Sequence, residues 1–114
     1  MNRRRRIDPL LANPWRKILV YNVRISNPAR KYLKKLKDKK LTQLFIDNIY
    51  NIIAADPEMG TRKVGDLADT YTVGFRYQTA EYRIAYRIKE DMIVIILLVG
   101  SHADFYADLK KYLH

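Results

Sequence analysis

Near the end of the chain an imidazole stands between two elements: MIVIILLV at 92–99, a Gly100-Ser101 break, His102, and then Ala103 to Leu113 at helical spacing. Tyr106 lies four residues after His102, so the two side chains share one helical face. Upstream, AEYRIAYRI at 80–88 places Arg83 and Arg87 at even spacing in an alternating stretch. An imidazole, a phenol and guanidinium groups around one concavity have the chemistry for cleaving a phosphodiester in RNA. The 2′-OH must lose a proton, the phosphorane must be stabilised, and the 5′ oxygen must receive a proton. His as a residue type titrates in the useful range, and Arg grips phosphoryl oxygens through paired N–H donors. No metal ion and no cofactor are needed for such a step.

The elements that position these groups follow from periodicity. Tyr82, Ile84, Tyr86 and Ile88 alternate with Arg83, Ala85 and Arg87, so burying the first set forces Arg83 and Arg87 onto the opposite face of a strand over Glu81 to Ile88. Tyr71 to Tyr77 reads as a neighbouring strand that brings Arg76 to the same platform if its register allows. Met92 to Val99, apolar on both faces, belongs at the centre of a sheet, joined to its predecessor by a tight Glu90-Asp91 turn. Two other readings of these residues stand beside the chemical one. The cations fit a solvated sheet face, and Ser101 with Asp104 fits a capping box that makes His102 a first-turn residue. In the terminal helix Phe105, Leu109, Tyr112 and Leu113 form the docking stripe, leaving His102 and Tyr106 outside the core.

Towards the N-terminus, residues 1–17 show no sustained period, contain Pro9 and Pro14, and read as a flexible basic arm before a folded domain at 18–114. Ile18 to Ile25 reads as a first strand. Asn27-Pro28 starts a helix, with Asn27 as its cap. Ala29, Tyr32, Leu33 and Leu36 line one face of it, while Arg30, Lys31, Lys34 and Lys35 line the other. After a polar hinge at Asp38 to Lys40, Leu41, Leu44, Phe45, Ile49, Ile52 and Ile53 repeat the pattern until Asp56-Pro57 stops it. The order is β-α-α-β-β-β-α: an α+β domain with an antiparallel sheet of about four strands, a helical hairpin on one face and a short C-terminal helix.

Composition bounds the partners. The chain has 114 residues, no Cys, two His and a net charge of +10, and its first 24 residues hold seven of the 22 basic residues against Asp8 alone. One domain of this size buries a core without staples, and a disulfide framework or a structural zinc site is ruled out or disfavoured by the Cys and His counts. No apolar run approaches the ~20 residues of a membrane span, which indicates a soluble, cytoplasmic protein with no membrane partner. The surplus of cations favours a polyanion or an acidic protein.

The segments "KVGDLADTY", "AEYRIAYRI" and "LLVGSHADFY" resemble the lysine-containing turn, the Y-R-φ-φ-Y strand and the terminal V-G-x-[HR] segment of the RelE/ParE toxins of bacterial toxin–antitoxin pairs. The resemblance spans Tyr21 to Leu113. It implies a RelE-like fold and a ribosome-dependent endoribonuclease that cuts mRNA in the decoding site. It also implies an acidic cognate antitoxin that holds the toxin inactive in a hetero-oligomer. Carried onto this sequence, Arg83 matches the strand arginine that supports the transition state, His102 the Arg or His after the glycine, and Tyr106 the aromatic residue that follows. Arg76, Arg87 and Lys63 then bind RNA phosphates, and Arg30, Lys31, Lys34 and Lys35 face ribosomal RNA. The sequence departs from the best-known ribonucleases in having no Lys between Lys63 and Lys89, where they carry two. Glu81 or Asp66 could then serve as base. The ParE branch keeps the fold, lacks this catalytic set and poisons DNA gyrase, which gives a non-enzymatic alternative; a degenerate member that only binds its antitoxin is a third.

Overall fold

The structure, a computed structural model, describes residues 20–63 and 67–113, without the side chain of residue 104. The basic arm, Asp66 and the proposed Ser101–Asp104 capping box therefore lie outside the described residues. Among the described residues five strands form one mixed sheet: β1 (Asn22–Ile25), β2 (Thr61–Arg62), β3 (Tyr71–Tyr77), β4 (Ala80–Lys89) and β5 (Ile93–Ser101), in the order β1-β5-β4-β3-β2. β1 runs parallel to β5 and the remaining pairs are antiparallel. About four strands were expected from periodicity. β2 was missed because two residues are too few to carry a period.

β5 sits between β1 and β4, as a strand apolar on both faces must. The Glu90–Met92 turn that leads into it puts Asp91 and Met92 at φ 63° and 57°, the left-handed region. A register shift between Ala85 and Tyr86 leaves Leu97 as an extra residue of β5.

Among the described residues three α-helices cover the two faces: α1 (Asn27–Lys35), α2 (Lys39–Asp47) and α3 (His102–Leu113). α2 continues through wider π-helical turns over Asn48–Ile53. Ala29, Leu41, Phe45, Ile49 and Ile53 from the hairpin pack on Ile84, Tyr86, Val94, Ile96 and Val99 of the sheet. Phe45 is the hub, meeting Tyr32, Phe75 and Tyr82 edge-on at centroid distances of 5.9, 5.0 and 5.7 Å. Tyr86 is the largest fully buried side chain among the described residues, and its hydroxyl donates to the Pro57 carbonyl at 2.6 Å. Burial pushes that phenol up to about 12.

Two helix starts are set by side chains that also tie layers together. Ser26, not Asn27, caps α1: its Oγ accepts from the Ala29 N–H at 3.2 Å and donates to the Leu97 carbonyl at 2.6 Å. The cap moves one residue because a hydroxyl there serves the helix and β5 together. Asp38, in the polar hinge, caps α2 and accepts from the Tyr77 hydroxyl at 2.8 Å. That hydrogen bond and the two cap N–H donors hold its carboxyl below the usual range.

α3 takes the opposite face. Phe105 and Leu109 close over Ala85, Leu97 and Leu67, with Leu113 and Tyr106 at the rim. Tyr112, counted in the docking stripe, instead points outward and is 43% exposed. Tyr106, counted outside the core, is half-buried against this cluster.

Candidate functional site

Alternation along β4 sets the site. Ile84 and Tyr86 belong to the hairpin side and Ala85 to the α3 side, so Arg83 and Arg87 lie with α3. Arg83 is flanked in register by Gly74 on β3 and Gly100 on β5. Its guanidinium lies directly over Gly74: a Cβ there would meet Nη1 at 2.9 Å and Cζ at 3.0 Å. Arg83 Nη2 donates to Glu81 Oε2 at 2.8 Å, and with the two side chains 24% and 33% exposed the pair is only partly shielded from water. Its Nε is buried without a hydrogen-bond partner among the described residues.

The ladder brings the terminal helix to this arginine. Gly100 pairs with Arg83 and Ser101 with Tyr82, and α3 begins at the next residue, His102. His102 is exposed, and its ring meets Tyr106 edge-on at 5.9 Å, as the four-residue spacing requires. Lys63, just after β2, places Nζ 4.8 Å from the Tyr106 ring centroid. A cation, a phenol and an imidazole thus follow one another along one side of the molecule, and the ladder sets Arg83 opposite Gly100, two residues before His102. Such a set can bind a phosphoryl group, stabilise added negative charge and move a proton at an imidazole nitrogen.

The other candidates separate. Arg76 is exposed on the Arg83 face, in register with Glu81, so it can reach the same anion. Arg87 is on that face too, but Phe105 and Leu109 cover Ala85 between it and Arg83, so the two do not make one open platform. Arg30, Lys31, Lys34 and Lys35 are exposed on α1, which packs on the hairpin side, away from Arg83.

Three features escaped the sequence reading. Glu81 was weighed as a base but not as the ion-pair partner of Arg83, although an i, i+2 spacing in a strand puts both on one face. Gly74 left no signal except its place opposite Arg83. The Lys63–Tyr106 contact joins residues distant in sequence and has no local signature. Among the described residues no cluster of three or more His, Cys, Asp or Glu could hold a metal ion. Among them, too, no helix is long and apolar enough to cross a membrane.

Comparison with known proteins extends this picture. The chain resembles the toxin–antitoxin complex RelBE2 from Mycobacterium tuberculosis, with 30% identity and a TM-score of 0.60 over 75% of this chain and 94% of that one. It is also similar to a mutant of the E. coli toxin RelE in the free state, with 19% identity and a TM-score of 0.63 over 81% and 96% of the two chains. The intact E. coli RelBE complex matches at 18% identity and a TM-score of 0.55, over 70% and 94%. The two E. coli likenesses show the RelE-like α+β fold. No curated protein sequence matches the chain. Residues 23–110 match the family model described as the ParE-like toxin of type II bacterial toxin–antitoxin systems. A match over most of the chain, together with the fold, makes this chain a toxin of the type II toxin–antitoxin class and a member of the ParE-like family.

Proposed function

We propose that this toxin is a metal-independent, ribosome-dependent endoribonuclease that cuts mRNA. The observation that carries this reading is the line Lys63–Tyr106–His102, which ends two residues after Gly100, the register partner of Arg83. In this mechanism Arg83, joined by Arg76, holds the scissile phosphate. The 2′-OH gives its proton to the Glu81 carboxylate beside Arg83 as its oxygen attacks phosphorus, and the 5′ oxygen leaves with a proton from His102. The ammonium of Lys63 and the phenol of Tyr106 balance the charge that builds on the phosphorane. The upstream product then ends in a 2′,3′-cyclic phosphate. Arg30, Lys31, Lys34 and Lys35 form a separate basic surface suited to ribosomal RNA. An acidic antitoxin holds the toxin inactive in a hetero-oligomer, a reading supported by the likeness to the M. tuberculosis and E. coli toxin–antitoxin complexes. The setting of this reading is cytoplasmic.

A second reading, a non-enzymatic gyrase inhibitor, draws on the β3 positions that flank Arg83. They hold Thr72, Gly74 and Arg76 rather than lysine, and Glu81 already neutralises Arg83. Primer extension on mRNA from cells expressing the chain separates the two. Internal, codon-phased ends that vanish with His102→Ala support the nuclease. Intact mRNA with gyrase-trapped DNA breaks supports the inhibitor.

A further inference from the structure

At the far end of β4 a second cationic cleft lies apart from the site above. β3 starts at Tyr71, whose register partner is Tyr86, so β4 runs on through Arg87, Ile88 and Lys89 paired only with β5 among the described residues. The edge left open borders a cleft of about 380 Å³, lined by Arg62, Arg87, Lys89, Tyr71, Glu58 and Asp69. Arg87 Nε is buried there with no hydrogen-bond partner among the described residues. Unlike Arg83, Arg87 has no carboxylate within ion-pair distance among the described residues. Arg62 does pair with Asp69, at 3.3 Å, but those side chains are 64% and 78% exposed, so water and incoming anions compete for the contact freely.

We propose that this cleft receives a carboxylate of an acidic peptide segment that lies extended along the open edge of Arg87–Lys89. The proposal rests on the reading that the toxin is held by an acidic antitoxin, and it names where one acidic side chain of such a partner seats. Charge selects a peptide over RNA. Three cations against two carboxylates leave a surplus of one, which suits a single carboxylate and not a continuous run of phosphates. The edge offers backbone N–H and C=O groups that a peptide pairs with as an added strand. Phe105 and Leu109, closing over Ala85, also block a direct path for one RNA strand from Arg83 to the cleft.

The test follows the Arg87 Nε–H resonance and the amides of Arg87 to Lys89 in the isotope-labelled full chain. A short peptide alternating Glu and Val is titrated in one arm and an oligouridylate in the other. The peptide should move these resonances to saturation, and Arg87→Gln should weaken its binding about tenfold or more, the loss expected for a hydrogen-bonded charge pair. If that variant does not fold, Arg62→Gln, at an exposed position, should weaken binding several-fold. A peptide that leaves the resonances unmoved, variants that bind it as tightly as the parent, or an oligouridylate that shifts Arg87 as strongly overturns the proposal. Rescue of growth by a co-expressed acidic protein tests the antitoxin reading by itself, and oligouridylate shifts at His102 report on the nuclease site separately.

Discussion

Replacing Gly74 with alanine probes the site without touching a group proposed to act on substrate. The added Cβ would stand 2.9 Å from Arg83 Nη1 and 3.0 Å from Cζ. To reach ordinary contact the guanidinium must retreat by about half an ångström, and its pairing with Glu81 at 2.8 Å must re-form elsewhere. The fold has little reason to suffer. The neighbour is the end of a flexible side chain, Gly74 does not adopt a positive φ, and alanine removes conformational freedom from the unfolded chain, worth about 0.4–1 kcal/mol. Thermal unfolding should therefore show a midpoint equal to or slightly above that of the parent. Catalysis is less forgiving: a misplacement of about 1 Å at a positioning group can cost about 100-fold, so half of that distance should cost roughly tenfold in kcat/KM. The assay pairs a melting curve with the rate of mRNA cleavage on programmed ribosomes. A variant as stable and as active as the parent refutes the role given to the Gly74–Arg83 stack. A variant that loses its fold refutes the claim that only the guanidinium yields.

Three further outcomes follow from the same geometry. His102→Ala should abolish growth arrest while leaving soluble yield and antitoxin binding near the parent, because His102 is exposed and outside the apolar clusters; a drop in soluble protein would make it a structural residue. Tyr86→Phe strands the Pro57 carbonyl and should cost about 1–3 kcal/mol in denaturant unfolding. Because the folded phenol titrates at about 12 and an unfolded one near 10, the parent keeps this contribution below about pH 10 and loses it as pH rises towards 12. The variant's own alkaline profile should be flatter across that window, and an unchanged profile would rule out Tyr86 as its source. Neutralising Arg30, Lys31, Lys34 and Lys35 should weaken ribosome binding and lower its salt slope by roughly one for each phosphate that no longer meets a cation; an unchanged slope assigns them to plain solvation.

What could be read from the sequence divides along physical lines. The two-residue alternation of Tyr82, Ile84, Tyr86 and Ile88 leaves only one way to bury aromatic and aliphatic area, so the side on which Arg83 lies was legible from periodicity alone. The apolar stretch now seen as β5 likewise had only a central place to go. Contacts between distant residues were not legible. Nothing local in Lys63 points to Tyr106, and nothing in Gly74 announces that a guanidinium rests on it. The two-sided role of Ser26 depends on the Leu97 carbonyl 71 residues away, so the local Asn-Pro signal favoured the wrong cap. The division of the sheet face between Arg83 and Arg87 follows from where Phe105 and Leu109 land, which periodicity constrains only to a stripe.

The central claim is that Arg83, His102, Tyr106 and Lys63 cleave RNA through its own 2′-OH. The most direct measurement incubates the purified chain with programmed ribosomes and end-labelled mRNA, then identifies the new 3′ end of the upstream fragment. The account predicts cleavage only when ribosomes are present, a 2′,3′-cyclic phosphate terminus, and no product from mRNA carrying a 2′-deoxy sugar at the cut position. Intact mRNA under conditions where the chain arrests growth, or cleavage that proceeds at a 2′-deoxy sugar, would contradict it.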